Sequence, residues 1–251
     1  VGGNVLNFRE LARLMAPDYP FYGMQAQGLD GKRPCFARIE EIAAHYIAEM
    51  KTVQPHGPYF IGGYSLGGIV AYEMAQQLRA SGEPVGLLAL LDTYAGNLSS
   101  ISSTILRLLM HPSRQTIFGE LPMIVSETVQ RRFKSLLTSR VLKHVQRTNQ
   151  AAGDRYVLRP YGGRITLFRA TEASLRSFED LYTTWTKLAG EGLEVQKISG
   201  NHKGILVKPQ VDQLAAKLKA CIDEGTPSRR AVSPPESRLA ALDSSKLQPT
   251  L

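Results

Sequence analysis

Two cysteines, Cys35 and Cys221, are all that the 251 residues contain. They are too few and too widely spaced for a disulfide framework or a metal cluster, a usage that fits a reducing compartment, and both read as packing thiols. Long apolar runs are missing as well. The longest, Val85 to Leu91, is interrupted by Gly86 and falls far short of the roughly 20 residues that span a bilayer, and no signal peptide opens the chain. The expectation is a cytoplasmic protein with no membrane partner. Nucleic-acid signatures are absent too: there is no zinc-ligand spacing, no RNP-like aromatic pattern and no phosphate-cradling lysine loop, since the Gly-rich start "VGGN" has no P-loop lysine. No internal repeat and no second domain are visible. Residue 1 is valine and a glycine pair follows it, which reads as a piece cut from a longer polypeptide.

With 43% hydrophobic and 8% aromatic residues, the chain has the composition of one well-buried domain. Its formal charge of +8 suggests a polyanionic partner only until it is counted by segment. Residues 1–95 hold seven Lys and Arg against nine Asp and Glu, whereas residues 96–150 hold eight against two. In that basic segment Val129, Phe133, Leu136, Leu137, Val141, Leu142 and Val145 recur at helical spacing with cations between them, the pattern of a basic amphipathic helix with a solvated outer face. Residues 225–251 are rich in Ser and Pro without periodicity and read as a disordered tail.

Short β-type runs alternate with longer helical ones: "FYGMQAQ", "ARIEEIAAHYIAEMK", "YFIGGY", "LGGIVAYEMAQQLRA", "PVGLLALLD", then "RITLFRA", "LEVQKIS" and "VDQLAAKLKACIDE". This order predicts an α/β fold with a mainly parallel central sheet flanked by helices, because parallel strands need crossovers and crossover helices cover the sheet. About residues 96–150 the rhythm breaks into helical patterns around Pro112 and Pro122, which predicts an inserted helical lid in a domain covering residues 1–224.

Within "YFIGGYSLGGIVAYEM", Gly63-Tyr64-Ser65-Leu66-Gly67 is G-x-S-x-G between a strand-like run and a helix, the setting of a nucleophile elbow. Such a turn holds its serine in strained backbone geometry and brings strand and helix too close for side chains at Gly63 and Gly67. The helix then directs N–H groups at the serine, and the Leu66 N–H becomes an oxyanion donor. A Gly-rich turn with an incidental serine is the plainer alternative; the correct flanks on both sides favour catalysis.

A serine nucleophile needs a histidine to take its proton and a carboxylate to hold that histidine's tautomer. His45 sits in a predicted helix, His56 in the loop entering the serine strand, and His111 and His144 in the lid. His202, in "QKISGNHKGIL" between the last strand and the last helix, stands where the third member falls in the order Ser, acid, His. For the acid, Asp92 ends the strand that follows the elbow helix, on the rim where Ser65 emerges. Asp154 and Asp180 are rivals with easier readings as solvated residues, and Asp92 itself also fits a helix cap.

With Ser65, Asp92 and His202 so placed, the sequence resembles the type I thioesterase domains that end nonribosomal peptide synthetases and polyketide synthases, within the α/β-hydrolase superfamily. The likeness runs from "VGGNVLNFRELARLM" through "GPYFIGGYSLGGIVAYEMAQQL" and "LLALLDTYAG" to "ISGNHKGILVKPQVDQLAAKL", and it fails in the lid. An acid 27 positions after the serine, directly beyond the next strand, matches this family rather than the many hydrolases with a later acid. The resemblance implies an acyl-serine enzyme that releases an acyl, peptidyl or polyketide chain from a carrier protein, by hydrolysis or cyclisation. It implies that no cofactor or metal is held by this chain. Phosphopantetheine would be presented by an acyl or peptidyl carrier protein, expected upstream in the same polypeptide. The second oxyanion N–H maps to Val1, with Gly2 or Gly3 nearby. Relatives carry an apolar strand ending in His-Gly or Pro-Pro just before that position, so the N-terminal strand is expected to be missing here. A carboxylesterase or lipase acting on free esters with the same three residues, and a weakly active interaction module docking through the basic lid, are the alternatives.

Overall fold

The computed structural model describes residues 3–16, 18–94, 140–172 and 178–225. Strands β1 (Tyr59–Tyr64), β2 (Val85–Leu91), β3 (Ile165–Ala170) and β4 (Leu193–Ile198) lie side by side in that order, and each neighbouring pair is parallel. Helices α1 (Arg9–Met15), α2 (Ile39–Val53), α3 (Leu66–Ala80), α4 (Arg140–Arg155), α5 (Phe178–Leu188) and α6 (Gln210–Gly225) surround them. The α/β architecture expected from the alternation of runs is therefore present. Most of the expected lid, Val1, Gly2 and the tail beyond residue 225 lie outside the described residues.

The sheet is buried on both faces because its strands are apolar at consecutive positions. Along β2, Leu88 and Leu90 join a core with Ile39 and Ile42 of α2, the apolar face of α3 and Trp185 of α5. Leu87, Ala89 and Leu91 point the other way, into a second core with Leu11 and Met15 of α1 and with Val211, Leu214 and Leu218 of α6. This is the period-two geometry of a strand with helices on both sides. Cys221 belongs to the second core, where burial pushes its thiol up to about 11, in keeping with a packing role.

One predicted strand does not form. Phe21 to Ala26 is irregular, Gln27 opens a turn, and the segment pairs with no strand among the described residues; Ala26 N–H donates to the Gly3 carbonyl (2.8 Å). Its β-type composition serves to line a cavity with Phe21, Tyr22 and Met24 instead. The basic helix is described only from Arg140, and it continues to Arg155, beyond the predicted stripe. Val145, Asn149 and Ala152 are its buried residues, at the spacing of one helical face.

Leu90, fully buried at the centre of β2, tests the two-core description. Leu90→Ala is expected to destabilise the fold by about 2–5 kcal/mol, the range for cavity-forming truncations, read as a lowered midpoint in urea with an unchanged slope.

Candidate active site

β1 closes with Gly62-Gly63-Tyr64, and a single residue separates it from α3. Between them Ser65 adopts φ 55° and ψ −124°, a region that residues with a Cβ occupy only under strain. A Cβ at Gly63 would stand 2.0 Å from the Gly67 carbonyl oxygen and 2.6 Å from the Gly68 nitrogen, so glycine is required there. Gly67 does not behave as expected. It is exposed, and a Cβ on it would meet nothing within 4 Å among the described residues. The second crowded position is Gly68, which turns inward and whose Cβ would lie 1.9 Å from Thr93 Oγ1.

Thr93 was invisible to motif reasoning, yet it locks the turn to the next strand. It is buried, its Oγ1 lies 3.4 Å from the carbonyl oxygens of both Gly63 and Leu91, and its own carbonyl accepts a bond from Trp185 Nε1 at 3.1 Å. The doubled glycine after Ser-Leu was the available signal, because it marks a second close approach.

The parallel register of β1 and β2 pairs Tyr64 with Leu91, and Ser65 N–H donates to the Leu91 carbonyl at 3.0 Å. Ser65 and Asp92 are thereby held at the ends of adjacent strands. Asp92 also has a left-handed backbone, φ 44°. Its N–H donates to the Phe168 carbonyl (2.7 Å), its Oδ1 accepts from Ala170 N–H (3.1 Å), and its Oδ2 pairs with His202 Nδ1 at 2.6 Å. The carboxylate is 6% exposed, so these bonds replace the water it has lost. In the neutral imidazole this pairing places the proton on Nδ1 and leaves the Nε2 lone pair as acceptor. Ser65 does not spend its hydroxyl on capping α3.

The structure thus brings Asp92 and His202 into contact and sets Asp92 beside Ser65. The other candidates lie elsewhere. His45 packs against Phe36 and Tyr46, His144 is on the exposed face of α4, Asp154 bonds to Gln150 within α4, and the Asp180 side chain and His111 are outside the described residues. Leu66 opens α3, where helix geometry leaves its N–H without an intrahelical acceptor. Val1, the second donor position, falls outside the described residues. Gly3, its near neighbour, has φ 70° and would carry a Cβ 2.4 Å from Ala26 Cβ.

α4 crosses over the turn. A Cβ on Gly153 would stand 2.4 Å from Leu66 Cδ1, so this glycine lets the helix rest on the Leu66 side chain. Beyond α4 the chain is tied to α3 by a buried carboxylate. Glu73 accepts from Tyr156 Oη (2.5 Å) and Gln77 Nε2 (2.9 Å) and faces Arg159 at 3.6 Å, while Tyr72 Oη donates to the Arg159 carbonyl at 2.6 Å. Burial, reinforced by the bond to Glu73, holds the Tyr156 phenol above its usual range and keeps it a donor. A cavity of about 180 Å3 opens beside the turn, lined by Leu66, Gly67, Phe21, Met24 and Asn149 among others. Among the described residues no group of three His, Cys, Asp or Glu side chains is placed to hold a metal, and no helix is long and apolar enough to cross a membrane.

The family model described as thioesterase domain matches residues 1–222. Among curated proteins, the chain is similar to the inactive atromentin synthetase invA4 of Paxillus involutus, 41% identical over 90 residues, which is 36% of this chain and 10% of that protein. It is likewise similar to malpibaldin synthetase of Mortierella alpina, 44% identical over 85 residues, 34% of this chain and 2% of that protein. The chain therefore spans a tenth or less of the length of these relatives. Among solved structures, holo-AB3403, a four-domain nonribosomal peptide synthetase bound to AMP and glycine, superposes with TM-score 0.66 at 26% identity, covering 90% of this chain and 19% of that one. The NocB thioesterase domain, in covalent complex with a fluorophosphonate nocardicin G analog, superposes with TM-score 0.63 at 23% identity, covering 88% and 90%.

The unequal roles of the three glycines are measurable. Gly63→Ala is expected to lower the urea midpoint by the equivalent of about 1–3 kcal/mol or more, whereas Gly67→Ala in the first turn of α3 is expected to be neutral or to gain up to about 1 kcal/mol. Equal damage from both changes would contradict the geometry described for the turn.

Proposed function

The chain belongs to the thioesterase-domain family, and from that membership we propose that Ser65, His202 and Asp92 act as its acyl-transfer triad. The substrate of this reading is an acyl, peptidyl or polyketide chain held as a thioester on the phosphopantetheine arm of a carrier protein in the same cytoplasmic polypeptide. The arm belongs to the carrier and enters as substrate. The observation that carries the reading is the 2.6 Å pairing of His202 Nδ1 with Asp92 Oδ2, set one strand away from a serine in elbow geometry.

His202 Nε2 takes the Ser65 hydroxyl proton as Oγ attacks the thioester carbonyl. The new oxyanion is met by the Leu66 N–H and by a second donor mapped to Val1, each such donor commonly being worth about 3 kcal/mol. Collapse breaks the C–S bond, and the imidazolium returns its proton to the departing sulfur, leaving an acyl-serine and a free carrier thiol. Water, or a nucleophile within the acyl chain, then gives its proton to His202 and attacks the ester, and Ser65 recovers its proton on release. Asp92 stabilises the imidazolium in both halves. Its buried position and its bond from Ala170 N–H keep it aligned without direct contact with the acyl group.

A fluorophosphonate probe applied to the protein as the cell makes it is expected to label Ser65, with no labelling after Ser65→Ala. Asp92→Asn is expected to lower turnover about 10⁴-fold with the site geometry retained. No labelling of the unaltered protein would favour the interaction-module reading. Matched acyl-pantetheine thioesters and oxoesters separate the enzymatic readings: the thioesters are expected to turn over faster, and faster oxoesters in every pair would make the protein a carboxylesterase.

A further inference from the structure

Resting on the proposed triad, we infer that Tyr64, the residue before Ser65, is a positioning residue that sets the orientation of the His202 ring. Its aromatic ring stacks on the imidazole with centroids 4.7 Å apart and planes inclined by 24°. Its phenol donates to the main-chain carbonyl of the same His202 at 2.6 Å. Burial, then the Asp92 charge, push that phenol above its ordinary range, so it remains protonated and able to donate. The two residues are 138 positions apart, and Tyr64 holds His202 at both side chain and backbone.

His202 needs that hold. It lies in the irregular segment between β4 and α6, and its side chain is 33% exposed. The Asp92 bond restrains one ring atom, Nδ1, and Tyr94 meets the ring only obliquely, with centroids 5.7 Å apart and planes inclined by 55°, so neither contact fixes the plane of the imidazole. A stacked aromatic face fixes it, and the bond to the carbonyl stops the loop from drifting away from the sheet. Together they fix where Nε2 points. Because Tyr64 is covalently joined to Ser65, the imidazole is referenced directly to the residue whose proton it takes. The stack also acts differentially. When His202 becomes imidazolium it places a cation over the Tyr64 ring, an attraction absent from the neutral ground state and therefore useful in the transition state. Tyrosine meets both needs: phenylalanine keeps the face and loses the carbonyl bond, and leucine loses both.

The test compares Tyr64→Phe, Tyr64→Trp and Tyr64→Leu in the protein as the cell makes it, with urea midpoints recorded to show that each variant is folded. With an acyl-pantetheine thioester, Tyr64→Leu is expected to lower kcat about 10²-fold, the penalty of misplacing a reacting group by an ångström, while KM moves little. Tyr64→Phe is expected to lose no more than about tenfold, the kinetic equivalent of one hydrogen bond. Tyr64→Trp, which restores an aromatic face, is expected to recover most of what Tyr64→Leu loses. The far-downfield proton resonance of His202 Nδ1–H, identified by its loss in Asp92→Asn, reads the same geometry without turnover. It is expected to persist in Tyr64→Phe and to broaden or shift in Tyr64→Leu. An unchanged resonance and unchanged kcat in folded Tyr64→Leu would overturn the inference while leaving the proposed function intact. Failure of the unaltered protein to label with fluorophosphonate would overturn the proposed function, and the resonance would still report on the clamp.

Discussion

The arrangement depends on one constraint: two adjacent parallel strands end at the same level, and each is followed by a residue forced into left-handed backbone. Ser65 and Asp92 are the non-glycine residues with positive φ among those described. Such conformations cost on the order of 1–3 kcal/mol each and persist only where the surroundings over-determine them. Here the surroundings are specific. The Ser65 N–H is taken by Leu91, the Asp92 N–H by Phe168 and the Asp92 carboxylate by Ala170 and His202. The strain is held by bonds to main-chain groups of two neighbouring strands, β2 and β3, so the distance between serine and carboxylate is a property of the sheet rather than of a loop. That is why the carboxylate comes from the strand next to the serine: register alone brings it into position.

Much of this was legible in the sequence because it is local. Each of the four strands coincides with a run of the right period, as do α2, α3 and α6, since apolar alternation and helical stripes are read by neighbouring residues within a few positions; α1 and α5 were not among those runs, and α4 continues past its predicted stripe. Ser65 was legible for the same reason, as the flanks of G-x-S-x-G carry the fold context with them. Asp92 and His202 could be chosen by chain order and strand position. What the sequence did not disclose is set by contacts across the chain. The stretch "FYGMQAQ" has the composition of a strand but no ladder partner among the described residues, and composition cannot report a partner. Gly67 and Gly68 are chemically identical, and only the position of Thr93 shows that the second is crowded. Tyr64 occupied a motif position marked as variable, and its two contacts with His202 depend on a loop far along the chain.

The buried carboxylate on α3 gives the elbow helix a second duty. Glu73 is 2% exposed, and an unpaired charge at that depth would be strongly destabilising. Its partners Tyr156 and Arg159 both lie just beyond α4, so satisfying the charge requires that this segment be docked on α3. Docking in turn seats Gly153 on Leu66, the residue whose N–H faces the serine turn. Packing of the basic segment's exit is thereby coupled, through a charge that tolerates no loss of partners, to the side chain that holds the first helical residue in place.

Six consecutive residues, Gly63 to Gly68, therefore carry separable duties that share one backbone. Gly63 and Gly68 permit the approach of strand, helix and acid loop, Ser65 presents a hydroxyl, Leu66 presents an N–H while bearing α4, and Tyr64 reaches the histidine. Of the three glycines in this stretch only Gly67 meets no steric demand from the described residues, and it lines the cavity together with Gly63, Tyr64 and Leu66. This division explains why the remaining members of the proposed triad can come from distant parts of the chain. Asp92 is placed by strand register and His202 by Asp92 and Tyr64, so neither relies on its own loop for accuracy. In the proposed triad the loop around His202 is thus held from either side, by the sheet end through Asp92 and by the elbow through Tyr64.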